Sequence, residues 1–173
     1  MALLLEIIQA IWFIFPAYAA NAFPAVIGGK KPLDFNKNFG KNRLLGDSKT
    51  IEGTISGVIF GIFIGLVQMN FLAYAAGDLG LLHFTVPVIA LLSTGALAGD
   101  VVGSFLKRRA GISSGEPAVI LDQLGFLVAA LAFVSFVYIP SFITMVILII
   151  LTPIIHILTN VVGYALGLKK YPW

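Results

Sequence analysis

Five stretches of this chain stay apolar over the length of about 20 residues that a helix needs to cross a bilayer. No other sequence feature restricts the fold as tightly. They run Ala2–Ala20, Ile55–Ala76, Leu81–Leu106, Pro117–Ile139 and Ser141–Leu168. Charged residues make up 11% of the chain and hydrophobic ones 59%, whereas a water-soluble domain carries roughly 25% charged residues. With so little polar surface, the chain reads as an all-α integral membrane protein with five transmembrane helices. A length of 173 residues suits one helical domain, 1–173. Cysteine is absent, which excludes disulfides, thiolate metal centres and cysteine nucleophiles. Ala17-Tyr18-Ala19 resembles a leader cleavage site, but the first stretch lacks a basic start and is too long, so it reads as a retained helix.

The charge between these stretches is lopsided. Lys30, Lys31, Lys37, Lys41, Arg43 and Lys49 follow the first span, Lys107, Arg108 and Arg109 follow the third, and Lys169 and Lys170 follow the fifth. Five crossings place all of these on one side, and cytoplasmic loops are the basic ones. The expected topology is a multi-pass protein of the cell membrane, N-terminus outside and C-terminus cytoplasmic, with cytoplasmic loops at about 21–50 and 107–116. The opposite links carry only Asp78 and His83. Lys169 and Lys170 read as anchors to anionic lipid.

Glycine recurs at every fourth position in two spans, as Gly53, Gly57, Gly61 and Gly65, and as Gly95, Gly99 and Gly103. Such stripes let helix backbones approach closely in lipid, and close packing would hold nearby polar side chains rigidly. Ionisable groups inside spans are costly and usually mark function. Glu6 and Gln9, toward the outer end of the first span, fit a helix contact or water exposure. His156 and Asn160 share a helix face and read as a hydrogen-bonded contact. Asp100 lies about 10 Å along its helix from Lys107, and Asp122 about 8 Å from Pro117. Glu52 and Asn21 sit at helix ends. Asp100, Asp122, Asn160, Glu52 and Asn21 gather in the cytoplasmic third of the bilayer.

Asp100, Ser104, Lys107 and Arg108 fall on one helix face, a carboxylate and a hydroxyl followed by two cations. A buried Asp100–Lys107 bridge is the structural alternative. Asp122 adds a second carboxylate at similar depth. Two carboxylates without Cys or clustered His suit a hard, oxygen-seeking cation, Mg²⁺ before Zn²⁺. The segment LLGDSKTIEGTISG, Leu44–Gly57, opens the second span with Ser48 or Thr50 as N-cap. Its free amides and dipole favour an anion, and Lys49 adds a mobile charge. Glu52 either complements the helix dipole or belongs to the site. A long basic loop, a helix N-terminus and a carboxylate pair together describe a polyphosphate site at the membrane surface. Phe35, Asn36, Asn38, Phe39 and Asn42 are available to hold a base.

These residues resemble a known family. GDVVGSFLKRR, Gly99–Arg109, is similar to the signature core of the integral-membrane CDP-diacylglycerol synthases, the CTP:phosphatidate cytidylyltransferases. DQLG, Asp122–Gly125, stands where that signature continues into Asp-Arg-x-Asp, and SKTIEGTISG, Ser48–Gly57, looks like the family's Ser-x-Lys-[Ser/Thr]-x-Glu-Gly segment. The departures are that Gln123 replaces the Arg, Gly125 replaces the final Asp, and the Lys-Asp and His-Gly-Gly pieces are missing. They bear on how many metal ions the site holds. The shortness of the chain, with KPLDFNKNFGKNRLLGDSKTIEG followed by LDQL, resembles the archaeal branch, the CDP-archaeol synthases.

The resemblance implies transfer of CMP from CTP to an isoprenoid ether lipid phosphate, an unsaturated archaetidic acid, with the tails left in the membrane lipid bilayer and no nucleic-acid partner. It implies Mg²⁺ held by Asp100 and Asp122, and phosphates met by Lys49, Lys107 and Arg108, with Ser48, Thr50 and Ser104 beside them. Lys41 and Arg43 would clamp the leaving pyrophosphate, and Glu52 and Asn21 would orient metal-bound water or nucleotide. The rivals are the same reaction on ester-linked phosphatidate, a CTP-dependent lipid kinase, and a small ion or solute transporter. Polar residues confined to one side, without an inverted repeat, count against the transporter.

Overall fold

The computed structural model describes residues 2–74, 80–114 and 116–168. Asp78, Lys169 and Lys170 lie outside the described residues, and so does most of the link expected around Gly77–Gly80. Six helices and one hairpin follow in the order α1 (Ala2–Ala22), α2 (Pro24–Ile27), β1 (Asn38–Phe39), β2 (Asn42–Arg43), α3 (Ile51–Tyr74), α4 (Val86–Arg109), α5 (Val119–Val134) and α6 (Phe142–Ala165). Helices are what apolar runs must form in lipid, because no water is present to satisfy backbone groups. Ser141 caps α6 by accepting from the Thr144 N–H.

Among the described residues, four segments are long and apolar enough to cross a membrane: Ala2–Ile27, Ile51–Phe71, Val86–Arg109 and Phe142–Ala165. The fifth expected span, Pro117–Ile139, is helical only over the 16 residues of α5. That is about 24 Å of helix against a hydrocarbon layer near 30 Å. The third span also ends differently. Lys107, Arg108 and Arg109 form the last turn of α4 rather than the start of a loop, where cations complement the carbonyl end of the helix. The segment expected to be a plain loop at 21–50 holds the end of α1, the single turn α2 and the antiparallel hairpin β1–β2.

α4 is the central helix and packs on α1, α3 and α5, while α1 and α5 also touch α6. The glycines explain how closely. A methyl group on Gly61 would lie 2.7 Å from Ala20 Cβ, Pro16 O and Ser93 Oγ, so α3 meets α1 and α4 at one point. On Gly99 it would lie 2.5 Å from Gly125 O, and on Gly95 2.9 Å from Ala130 Cα. Gly103 is looser, 3.6 Å from Leu121 O. Because Gly95, Gly99 and Gly103 meet progressively earlier residues of α5, the two helices run antiparallel, and Asp100 and Asp122 stand within about one helical turn of each other in height.

Ile14, Ile89, Leu92, Leu127 and Leu148 are fully buried between the helices. On α3, Ile55, Ile59, Phe63, Val67 and Phe71 are exposed on the side away from the glycines, a surface that suits hydrocarbon and not water. Buried polar groups are tied across helices, with Tyr18 Oη 2.6 Å from Thr152 Oγ1 and Gln68 donating to Trp12 O. His156 and Asn160 are joined within α6, as their spacing predicts.

Candidate active site

The site begins where α3 begins. Thr50 is the N-cap: its Oγ1 accepts from the Gly53 N–H and donates to Gly28 O, which ties the helix start to the end of α2. Glu52, in the first turn, accepts from the Lys31 N–H. Ser48 is exposed beside it. From this turn Lys49 reaches α4, and its Nζ lies 2.6 Å from Asp100 Oδ2. A cleft of about 200 Å³ opens at this junction, lined by Gly28, Gly29, Ser48, Lys49, Thr54 and Asp100 among others. Pockets for whole small molecules start near 300 Å³, so the cleft suits phosphate groups, with a larger ligand extending beyond it.

The other carboxylate is held from α4. Lys107 Nζ lies 3.0 Å from both oxygens of Asp122, because helical side chains lean toward the N-terminus and α5 runs antiparallel alongside. Asp122 also accepts from the Ala118 N–H at the start of its own helix. Asp100 therefore does not pair with Lys107, and the simple buried bridge is replaced by two cross-element pairs. Ser104 is buried on the face between them. Arg108 is 6% exposed and has no carboxylate partner among the described residues, and its Nε is buried without a hydrogen bond.

Asp34, which the sequence reading passed over, organises the loop. Its carboxylate is fully enclosed and accepts from Arg43 Nε and Nη2 and from the N–H groups of Asn36, Leu45 and Gly46. Burial alone would raise its pKa, but these donors outweigh burial and hold it well below the usual carboxylate range. Arg43 also reaches Asp47 at 2.9 Å, so its guanidinium binds two carboxylates of its own loop. Arg109 donates to Phe39 O and Arg43 O, and Asn42 donates to Arg108 O, which fastens the hairpin to the end of α4. The available signal was a lone Asp followed by Asn-x-Asn in a lysine-rich loop, a pattern of Asx turns.

The structure thus forms two pairs, Lys49 with Asp100 and Lys107 with Asp122, with Ser104 and Arg108 buried on the same helix α4; of the candidate residues, Ser48, Lys49, Thr50 and Asp100 line the cleft. Asn21 is half-buried at the end of α1 and Lys41 is exposed at the hairpin turn. Among the described residues, no three Asp, Glu, His or Cys side chains gather as a metal centre. An ion at Asp100 and Asp122 would have to complete its shell with substrate oxygens and water, which is how Mg²⁺ is commonly held.

Fold and site define a multi-pass helical membrane protein with a polar cleft at the start of α3, lined by Lys49, Asp47 and Asp100 among others. Residues 2–173 match the family model CarS-like: CDP-archaeol synthase. The chain belongs to the CDP-archaeol synthase family. It is 44% identical to the CDP-archaeol synthase of Pyrococcus horikoshii over 97% of this chain and 98% of that one. It is 45% identical to the Thermococcus kodakarensis protein of the same name over the full length of both. A solved intramembrane enzyme of archaeal membrane lipids biosynthesis superimposes with a TM-score of 0.73 at 38% identity, covering 90% of this chain and 94% of that one.

Proposed function

We propose that this chain transfers CMP from CTP to an unsaturated archaetidic acid, di-O-geranylgeranylglyceryl phosphate, giving CDP-archaeol and pyrophosphate. The observation that carries the reading is the Lys49–Asp100 contact at the cleft, 2.6 Å long, which joins the anion-binding start of α3 to the carboxylate of α4. Full-length similarity to CDP-archaeol synthases supports it.

In this reading an oxygen of the lipid phosphate attacks the α-phosphorus of CTP while the bond from that phosphorus to the bridging oxygen breaks, so pyrophosphate leaves. Such transfer depends on alignment and charge neutralisation, without a covalent enzyme intermediate. Lys49 and Lys107 meet the phosphates, each drawn from its carboxylate as the polyanion arrives. Arg108, already desolvated and lacking a carboxylate, receives a further phosphate oxygen. The free N–H groups of the first turn of α3 add anion affinity, with Ser48 and Ser104 as hydroxyl donors and Glu52 and Asn21 placing the nucleotide. Lys41, exposed at the hairpin turn, is available to departing pyrophosphate, whereas Arg43 is held by Asp34 and Asp47. Asp100 and Asp122 are the residues that would hold Mg²⁺, which when bound supplies neutralisation of phosphate charge.

We place the site on the cytoplasmic side, with the N-terminus outside and the apolar residues after α5 completing a fifth crossing. The support is that the end of α1, the start of α3, the end of α4 and the start of α5 share the basic end of the bundle. The test is incubation of purified protein with α-phosphorus-labelled CTP, Mg²⁺ and the ether-linked lipid phosphate. Label should enter the lipid fraction, and label released as CDP would defeat the proposal. Equal rates with a saturated diacyl phosphatidate would remove only the ether-lipid preference.

A further inference from the structure

The hairpin β1–β2 has a role that phosphate chemistry does not require. Phe39 and Asn42 are paired across it, so both side chains face the same way, and Asn42 is bonded to the end of α4. Phe39 therefore also faces α4. Its ring lies 6.2 Å from Phe105, and the Arg109 guanidinium stacks 4.9 Å from the Phe39 centroid and 5.1 Å from that of Phe105. Beside Phe105 on α4 stand Val102 and Leu106, 54% and 44% exposed, which mark the lipid-facing side of a membrane helix. The hairpin is thus fastened to the last turn of α4, next to these lipid-facing residues. Despite its contacts, the Phe39 ring stays 60% exposed. Lys41, in the two-residue turn with Gly40, and Lys37 just before β1 are exposed as well.

We infer that this hairpin is seated in the headgroup layer of the bilayer, with Phe39 at the acyl boundary and Lys41 and Lys37 among anionic lipid headgroups. An exposed aromatic ring is unfavourable in water and well placed at that boundary. Lysines near anionic lipid gain roughly 1 kcal/mol each, and Arg109, with its apolar stem along α4, occupies the position of a snorkelling cation. Phe105, which neighbours Val102 and Leu106 on α4, packs against Phe39, so the hairpin extends the lipid-contacting surface. A hairpin serving only as a cap for α4 would leave this ring in water.

The chain has no cysteine, so Phe39→Cys offers a single site for a nitroxide. In nanodiscs of phosphatidylcholine and phosphatidylglycerol, its collisions with oxygen relative to a water-soluble nickel chelate should approach those of a label at Val102→Cys. A ratio equal to that of free label in buffer would overturn the inference. Because cysteine removes the ring itself, Phe39→Trp is the second measurement. Its added fluorescence, relative to the parent chain, should be quenched by lipids brominated near the headgroup end of the acyl chain. Added emission that these lipids leave unquenched would equally overturn it. Neither readout needs substrate, so the result is independent of the proposed reaction.

Discussion

Lys49 leaves the last turn before α3 and places its ammonium 2.6 Å from the carboxylate of Asp100 on α4. This contact joins an irregular loop to α4 at the cleft. Both side chains are partly exposed, at 20% and 28%, so the pair is open to exchange with an incoming phosphate and is not a sealed structural bridge.

Lys49→Ala should therefore weaken CTP binding and lower kcat by about 10²–10³, the usual cost of losing one preorganised charge donor. Asp100→Asn should abolish turnover. Helical content in detergent should be unchanged for both. Label transfer from CTP with full helicity in Asp100→Asn would return Asp100 to a packing role.

Lys107 and Asp122 form a second unit, with both carboxylate oxygens 3.0 Å from the ammonium. Asp122→Asn should reduce turnover to a small residual rate, and the effects of Lys107→Ala and Asp122→Asn on kcat/KM should not add, because groups acting together are strongly coupled. Additive losses in the double variant would show that the two residues work separately.

The glycine stripe of α4 should respond unevenly. A methyl group at Gly99 meets a backbone carbonyl at 2.5 Å, whereas at Gly103 the nearest atom is 3.6 Å away. Gly99→Ala should cost about 1–3 kcal/mol by overpacking, and Gly103→Ala should be tolerated. Thermal midpoints of the two variants in one detergent decide this; equal values would mean that α4 and α5 separate freely.

Asp34 has a folded-state pKa below its ordinary value. Its stabilisation is therefore complete above the unfolded value of about 3.9 and is lost only as pH falls through the lower folded value. Amide exchange at Leu45 and Gly46, whose N–H groups it binds, should stay slow from neutral pH down to about pH 4 and speed up in stronger acid, beyond any intrinsic trend. Asp34→Asn should lose protection at these two amides already at neutral pH. Unchanged protection there would mean that the loop is held by other contacts.

The proposed orientation is open to labelling because every introduced cysteine is unique. Lys37→Cys and Ser113→Cys should resist an impermeant thiol reagent in right-side-out vesicles and react after lysis. Reaction of either before lysis would reverse the topology.

Sequence alone determined that the chain is a helical membrane protein, because a long apolar run leaves the backbone no other way to satisfy itself in lipid. It also determined the glycine contact faces and the face shared by Asp100, Ser104, Lys107 and Arg108, since a helical repeat is local and needs no knowledge of neighbours. Element ends were less legible. Lys107–Arg109 read as the start of a loop although cations suit the last turn of a helix, and α5 stops short of the apolar run that contains it. The hairpin was hidden because two-residue strands carry no alternating pattern.

The partners of the charges were decided by tertiary structure. Asp100 had a cation seven positions away on its own helix, yet it pairs with one 51 residues distant, because α3 packs closely on α4 where Gly61 meets Ser93 and Gly65 meets Ile89. Lys107 turns instead to α5, which the close contact at Gly99 brings alongside. Asp34 was not singled out in the sequence, and only the folded loop wraps five donors around it. Electrostatic partnership depends on distance in space, and only the packing of the helices sets that distance.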